Sequence, residues 1–121
     1  MSGESANKQT VRAYMDAYAR WDHVAILACL TDDVEWIVPG AFRLSGKRAF
    51  DGEIENPYAA GPPHITVSRL TEEAGVVVAE GSVRNEMKDG SIISLLFCDV
   101  FEMQEEAHIR RLTAYLVPVQ E

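Results

Sequence analysis

Val11, Tyr14, Met15 and Tyr18 recur at i, i+3, i+4 and i+7, the spacing that puts them on one face of a helix. Ser5 or Asn7 can cap its start. A second, short helix is expected after Trp21, with Asp22 as N-cap and Val24, Leu27, Ala28 and Leu30 as its apolar positions. The run "TDD" ends it, and "VEWIVPG" predicts a short strand closed by Pro39-Gly40. Ser45-Gly46 then opens a third helix through "KRAFDGEIE", weakened by Gly52 inside it. Pro57 and "GPP" at 61–63 break the chain before the next element.

From His64 the period changes. "HITVSRL", "GVVVAEGSVRNEM", "SIISLLFCDVFEM" and "HIRRLTAYLVPV" are rich in β-branched residues and predict strands. Asp89-Gly90 predicts a hairpin turn, and a second hairpin is expected near Glu105-Glu106. Three helices with one strand among them, followed by an antiparallel meander, make an α+β fold with helices on one face of a curved sheet. A bent sheet closed on one side by helices is a cone, and its mouth suits a small molecule. With no repeat, low-complexity tract or linker, residues 1–121 are expected to form one domain.

Composition narrows the function. Apolar residues make up 47% of the chain, enough for a packed core. Eleven basic against nineteen acidic residues give a net charge of −8, and no Lys/Arg cluster interrupts it, so nucleic acid and anionic membrane surfaces are not expected partners. The longest apolar runs, such as "IISLLF", are too short to span a bilayer, and "MSGESANK" has no hydrophobic signal core, which predicts a cytosolic protein. Cys29 and Cys98 sit in apolar runs and read as reduced core residues. Two isolated cysteines and three scattered histidines predict no metal site. No phosphate loop or nucleophilic Ser or Cys signature is present, and no cofactor is expected.

One residue breaks its pattern. In "FCDVFEM" (97–103), alternation puts Phe97, Asp99, Phe101 and Met103 on one side of a strand. An aspartate among aromatics and a methionine either stays protonated or finds donors, because burying an unpaired carboxylate is costly.

"FCDVFEMQEEAHIRRLTAYL" (97–116) is similar, without a gap, to the last hairpin of ketosteroid isomerases, with Asp99 on the aspartate of an I-D-h-(M/F)-x-F-type strand. "VRAYMDAYARWD" (11–22) places Tyr14 at that family's oxyanion-hole tyrosine, eight residues before the aspartate that opens the second helix. Over roughly residues 7 to 119 the chain resembles the cone-shaped superfamily of nuclear transport factor 2 (NTF2-like), and within it ketosteroid isomerase-like and SnoaL-like polyketide cyclase-like proteins. The resemblance implies that Asp99 and Tyr14 donate hydrogen bonds to a developing enolate oxygen. It also implies an inward apolar wall of Trp36, Val38, Phe97, Phe101, Leu112, Ala114 and Leu116. The implied reaction on a small, mostly apolar, carbonyl-bearing molecule is an isomerisation, cyclisation or elimination.

The pattern departs from ketosteroid isomerases at three places. The catalytic base there is an aspartate just before a proline at the end of the first strand, and Val38 stands at that position. Leu30 and Ile54 stand near the tyrosines that support the oxyanion tyrosine. His64, Glu35, Glu53, Glu55 and Glu86 are the other available bases. An epoxide hydrolase-like site would need arginine two residues before the strand acid, where this chain has Phe97. The missing base leaves a non-catalytic binding or dimerisation domain as the alternative. Cys98, Val100, Thr113 and Tyr115 share the outward face of the last strands, a half-apolar surface expected to pair two copies into a homodimer.

Overall fold

The computed structural model describes residues 3–120; Met1, Ser2 and Glu121, part of the expected domain span, lie outside the described residues. Helix α1 (Ala6–Tyr18) starts where the Ser5 hydroxyl accepts a hydrogen bond from the Lys8 N–H at 3.1 Å. It buries Val11, Tyr14, Met15 and Ala17. Helix α2 (His23–Ala28) is capped by Asp22, which accepts from the Ala25 N–H at 3.1 Å. Helix α3 (Lys47–Glu53) follows Gly46, whose φ of +89° is open to glycine and strained for other residues. Phe50 is its buried residue.

Six strands form one curved sheet in the order β2-β1-β6-β5-β4-β3. They are β1 (Leu30–Val38), β2 (Phe42–Ser45), β3 (His64–Glu73), β4 (Val76–Glu86), β5 (Ile92–Gln104) and β6 (His108–Val119). All neighbours are antiparallel except β1 and β6, which run parallel. This is the expected α+β architecture, with helices against the inner face of a mainly antiparallel sheet. Among the described residues, no helix is long and apolar enough to cross a membrane.

The first strand differs from the expectation at its start. Leu30 is not helical and "TDD" is not a loop; both belong to β1. The pairing of β1 with β6 shifts register between Leu30 and Glu35, and this irregularity leaves adjacent Asp32 and Asp33 both exposed. Simple alternation cannot produce that pattern. Pro39-Gly40 closes β1 after Val38 as expected. It turns the chain back into β2, which pairs Phe42 with Val38 and Leu44 with Trp36.

The turn between β3 and β4 places Ala74 and Gly75 at φ of +50° and +78°, suited to a tight hairpin. Asp89-Gly90 turns as expected, with the Asp89 carboxylate accepting from the Ser91 N–H at 2.8 Å. The last hairpin turns through a short 3-10 segment at Glu105–Ala107.

Candidate functional site

A cavity of about 750 Å³ opens between α1, the segment after α3 and the inner face of the sheet. Its construction follows from the register of β5. Asp99 lies opposite Ala79 on β4 and opposite Ala114 on β6. Two methyl side chains flank the carboxyl. They leave space beside it and offer it no donor. Asp99 is 9% exposed, and its Oδ1 is buried without a hydrogen-bond partner. Burial alone pushes its pKa from 3.8 up to about 7. Near neutral pH this group is therefore present in both the acid and the carboxylate form.

Gly81 shapes the same wall two residues along β4 from Ala79. It pairs with Phe97, and a Cβ there would come within 1.9 Å of the Thr66 carbonyl oxygen and 2.8 Å of the Phe97 ring. Only a glycine lets that ring lie across the strand and line the cavity.

Tyr14 projects from α1 into the cavity, where burial and then the charges of Tyr18 and Asp99 hold its hydroxyl well above the usual phenol range. It stays a neutral donor, and among the described residues its hydroxyl has no hydrogen-bond partner. Its ring packs against Phe101 at 5.5 Å and Tyr18 at 5.8 Å.

Eight of the nine residues expected at the site, Tyr14, Trp36, Val38, Phe97, Asp99, Leu112, Ala114 and Leu116, line the cavity. Phe101 does not. It shares the inward face of β5 with Asp99, but lies fully buried beneath Tyr14 as core. Alternation fixes the face of a strand residue and not the depth at which a helix covers it. Val38, at the place of the isomerase base, supplies only hydrocarbon. Leu30 and Ile54 are both buried and carry no hydroxyl.

Tyr18 stands nearest to a supporting tyrosine, but its hydroxyl donates to the Ile54 carbonyl at 3.0 Å. It ties the cavity mouth to α1 and makes no hydrogen bond to Tyr14. Its position one turn after Tyr14 is the signal that places it at the site. The mouth segment 52–58, together with Trp21, Phe42 and Asn85, also lines the cavity without any signal in the hydropathy pattern. Trp36 stacks on Phe50 at 4.2 Å and meets Phe42 edge to face at 5.2 Å.

Beside the mouth, His23 of α2 bridges two carboxylates. Its Nδ1 lies 2.6 Å from Asp51 and its Nε2 2.5 Å from Glu55. Both contacts raise its pKa. Of the other candidate bases, Glu35 is held by Arg43 and Arg111 on the outer face. His64, Glu35 and Glu86 do not line the cavity; Glu53 and Glu55 do, at its mouth. Among the described residues, no group of three or more His, Cys, Asp or Glu side chains is arranged to hold a metal ion.

Known structures share this fold. A putative polyketide cyclase from Xanthomonas campestris is 24% identical, with a TM-score of 0.82 over 91% of this chain and 89% of that one. A putative ketosteroid isomerase from Kribbella flavida is 20% identical, with a TM-score of 0.77 over 96% and 81%. An LEH-like epoxide hydrolase from M. tuberculosis is 18% identical, with a TM-score of 0.81 over 93% and 83%. No curated protein matches the chain significantly. Residues 11–112, which carry most of α1, most of the cavity lining and Asp99, match the model of the SnoaL-like domain, and the chain belongs to that family.

Proposed function

We propose that the cavity binds a small, mostly apolar compound bearing a carbonyl group, and that Asp99 exchanges a proton with it. The observation that carries this reading is the buried Asp99 carboxyl. It has an unpartnered oxygen beside a cavity of about 750 Å³ and a pKa of about 7. A group that titrates near the working pH serves as either acid or base. The neutral acid donates to a carbonyl oxygen. The carboxylate takes a proton from the carbon next to the carbonyl, the enolate oxygen accepts a hydrogen bond from Tyr14, and Asp99 returns the proton at another carbon. Isomerisation, cyclisation and elimination share the proton abstraction that forms the enolate, and return of the proton at another carbon completes the isomerisation. One residue then carries both transfers, which fits a chain with Val38 in place of a second acid. An epoxide-opening reaction has less support, since no arginine lines the cavity.

The binding test is a titration with 2-naphthol, a fused-ring phenol, read by quenching of tryptophan fluorescence; Trp21 and Trp36 both line the cavity. Saturable binding, weakened about tenfold in Asp99→Ala, is expected. Absence of saturable binding contradicts the reading.

Val38 also favours a second reading, a binding domain without catalysis. Deuterium uptake from solvent into 2-tetralone separates the two. Uptake accelerated by the protein and lost in Asp99→Asn supports catalysis, and binding without uptake supports the binding domain.

We further propose that the protein is a homodimer in the cytosol. Ile92, Leu96, Tyr115, Val117 and Val119 are exposed on the outer face of β5 and β6, continuous with Cys98 through the Cys98–Tyr115 and Leu96–Val117 pairs. A second copy would cover this apolar strip. The free thiols of Cys29 and Cys98 suit a reducing compartment. Sedimentation at micromolar concentration tests the dimer: a dimer converted to monomer by Leu96→Glu is expected, and monomer alone in the unaltered protein contradicts it.

A further inference from the structure

The cavity carries charge of one sign. Among the described residues, the acids that line it are Glu53, Glu55 and Asp99, and no Lys, Arg or His lines it. Glu55 is taken up by His23 at 2.5 Å. Glu53 forms no ion pair with another described residue, and it lies close enough to Tyr18 to raise that hydroxyl's pKa. Deeper in, Asp99 is nine-tenths buried, with Oδ1 unpartnered. Around it the wall is aromatic, with Tyr14, Tyr18, Trp36 and Phe97 all lining the space.

These features together select against an anion. A carboxylate or phosphate ligand would meet like charge at the mouth and at the floor, with no cation to offset it. A cation meets the reverse: acidic steering at the entrance, π-faces along the wall and a carboxylate that lacks a partner. We infer that the cavity takes an organic ammonium ion, with ionised Asp99 as its buried counter-ion. The inference rests on the reading of the cavity as a ligand site, and it uses the ionised form of the same residue.

The groups that face Asp99 are few. Tyr14 and Tyr18 approach from α1, and both hold their protons far above neutral pH. Cys98, its neighbour on β5, has a thiol raised by partial burial. Its cross-strand neighbours are alanines. His23, which bridges Asp51 and Glu55 beside the mouth and has a raised pKa, is the other group that titrates near the cavity, so the pH effect on cation binding is assigned to Asp99 by its loss in Asp99→Asn.

Benzyltrimethylammonium is the probe, because its charge is fixed and any pH dependence belongs to the protein. With Asp99 titrating near pH 7, its ionised fraction rises from about a tenth at pH 6 to about nine-tenths at pH 8. Binding read by tryptophan fluorescence is expected to tighten about tenfold over that range. Asp99→Asn is expected to remove the pH dependence and to weaken binding at pH 8 about tenfold or more. Glu53→Gln, an exposed change that leaves the core intact, is expected to weaken the cation a few-fold at low salt and less at high salt. Benzenesulfonate is expected not to bind. Equal binding of the neutral isostere neopentylbenzene, or equal cation binding at pH 6 and pH 8, overturns the inference. Binding of 2-naphthol without the ammonium ion removes this inference and leaves the carbonyl-ligand reading standing. Binding of neither removes both.

Discussion

Replacing Asp99 by asparagine should make the protein more stable in alkali and change little in acid. The native pKa of about 7 lies above the ordinary 3.8, so between these values the native state holds a proton that the unfolded chain has released. A raised pKa contributes stability that is fully present below pH 4 and is lost as pH rises through 7. The difference of 7 − 3.8 = 3.2 pH units corresponds to about 4 kcal/mol at about 1.36 kcal/mol per unit. That is a large share of the roughly 5–15 kcal/mol that holds a domain together. Asparagine keeps the shape and cannot ionise. Urea unfolding of both proteins, at one protein concentration from pH 4 to pH 8.5, gives the difference in stability directly. The asparagine protein should gain on the unaltered protein by about 4 kcal/mol between pH 4 and pH 8, with no further gain above. Titrations elsewhere, including that of His23, cancel in the difference. A difference that stays constant across this range would refute the buried, unpartnered carboxyl.

Gly81→Ala should destabilise by about 1–3 kcal/mol, since the new methyl meets the Thr66 carbonyl and the Phe97 ring; thermal unfolding measures it, and an unchanged midpoint contradicts the close approach. Ala114→Leu should fill the space beside Asp99 and abolish 2-naphthol quenching while circular dichroism stays native. His23 has a raised pKa, so its contribution is fully present below pH 6.5 and is lost as pH rises through its higher native value. His23→Ala should therefore lower the melting temperature more at pH 6 than at pH 9, and equal losses at both would contradict the two-carboxylate bridge.

The sequence carries much of this arrangement because it repeats the same instruction at several levels. The face of α1 is set by the spacing of Val11, Tyr14 and Met15, and the inward direction of Asp99 by strict alternation along β5. The two segments fix the positions of Tyr14 and Asp99 independently. Elsewhere the local pattern is silent. Four residues of β2 are too few to show a period, and Asp32-Asp33 look like a turn because an irregular register exposes both. Phe101 and Phe97 are equivalent in alternation, and only the position of α1 makes one core and the other cavity wall. The mouth segment 52–58 is placed by tertiary ties, the Tyr18 hydroxyl to Ile54 and His23 to Glu55, which no periodicity encodes.

The account stands on one proton. Carbon-13 labelling of aspartate, with the Asp99 carboxyl signal assigned by its loss in Asp99→Asn, follows that proton through a pH titration. The expected midpoint is about pH 7, moved down by benzyltrimethylammonium and up by 2-naphthol. A midpoint near the ordinary value of ~4, with no response to either ligand, would contradict it.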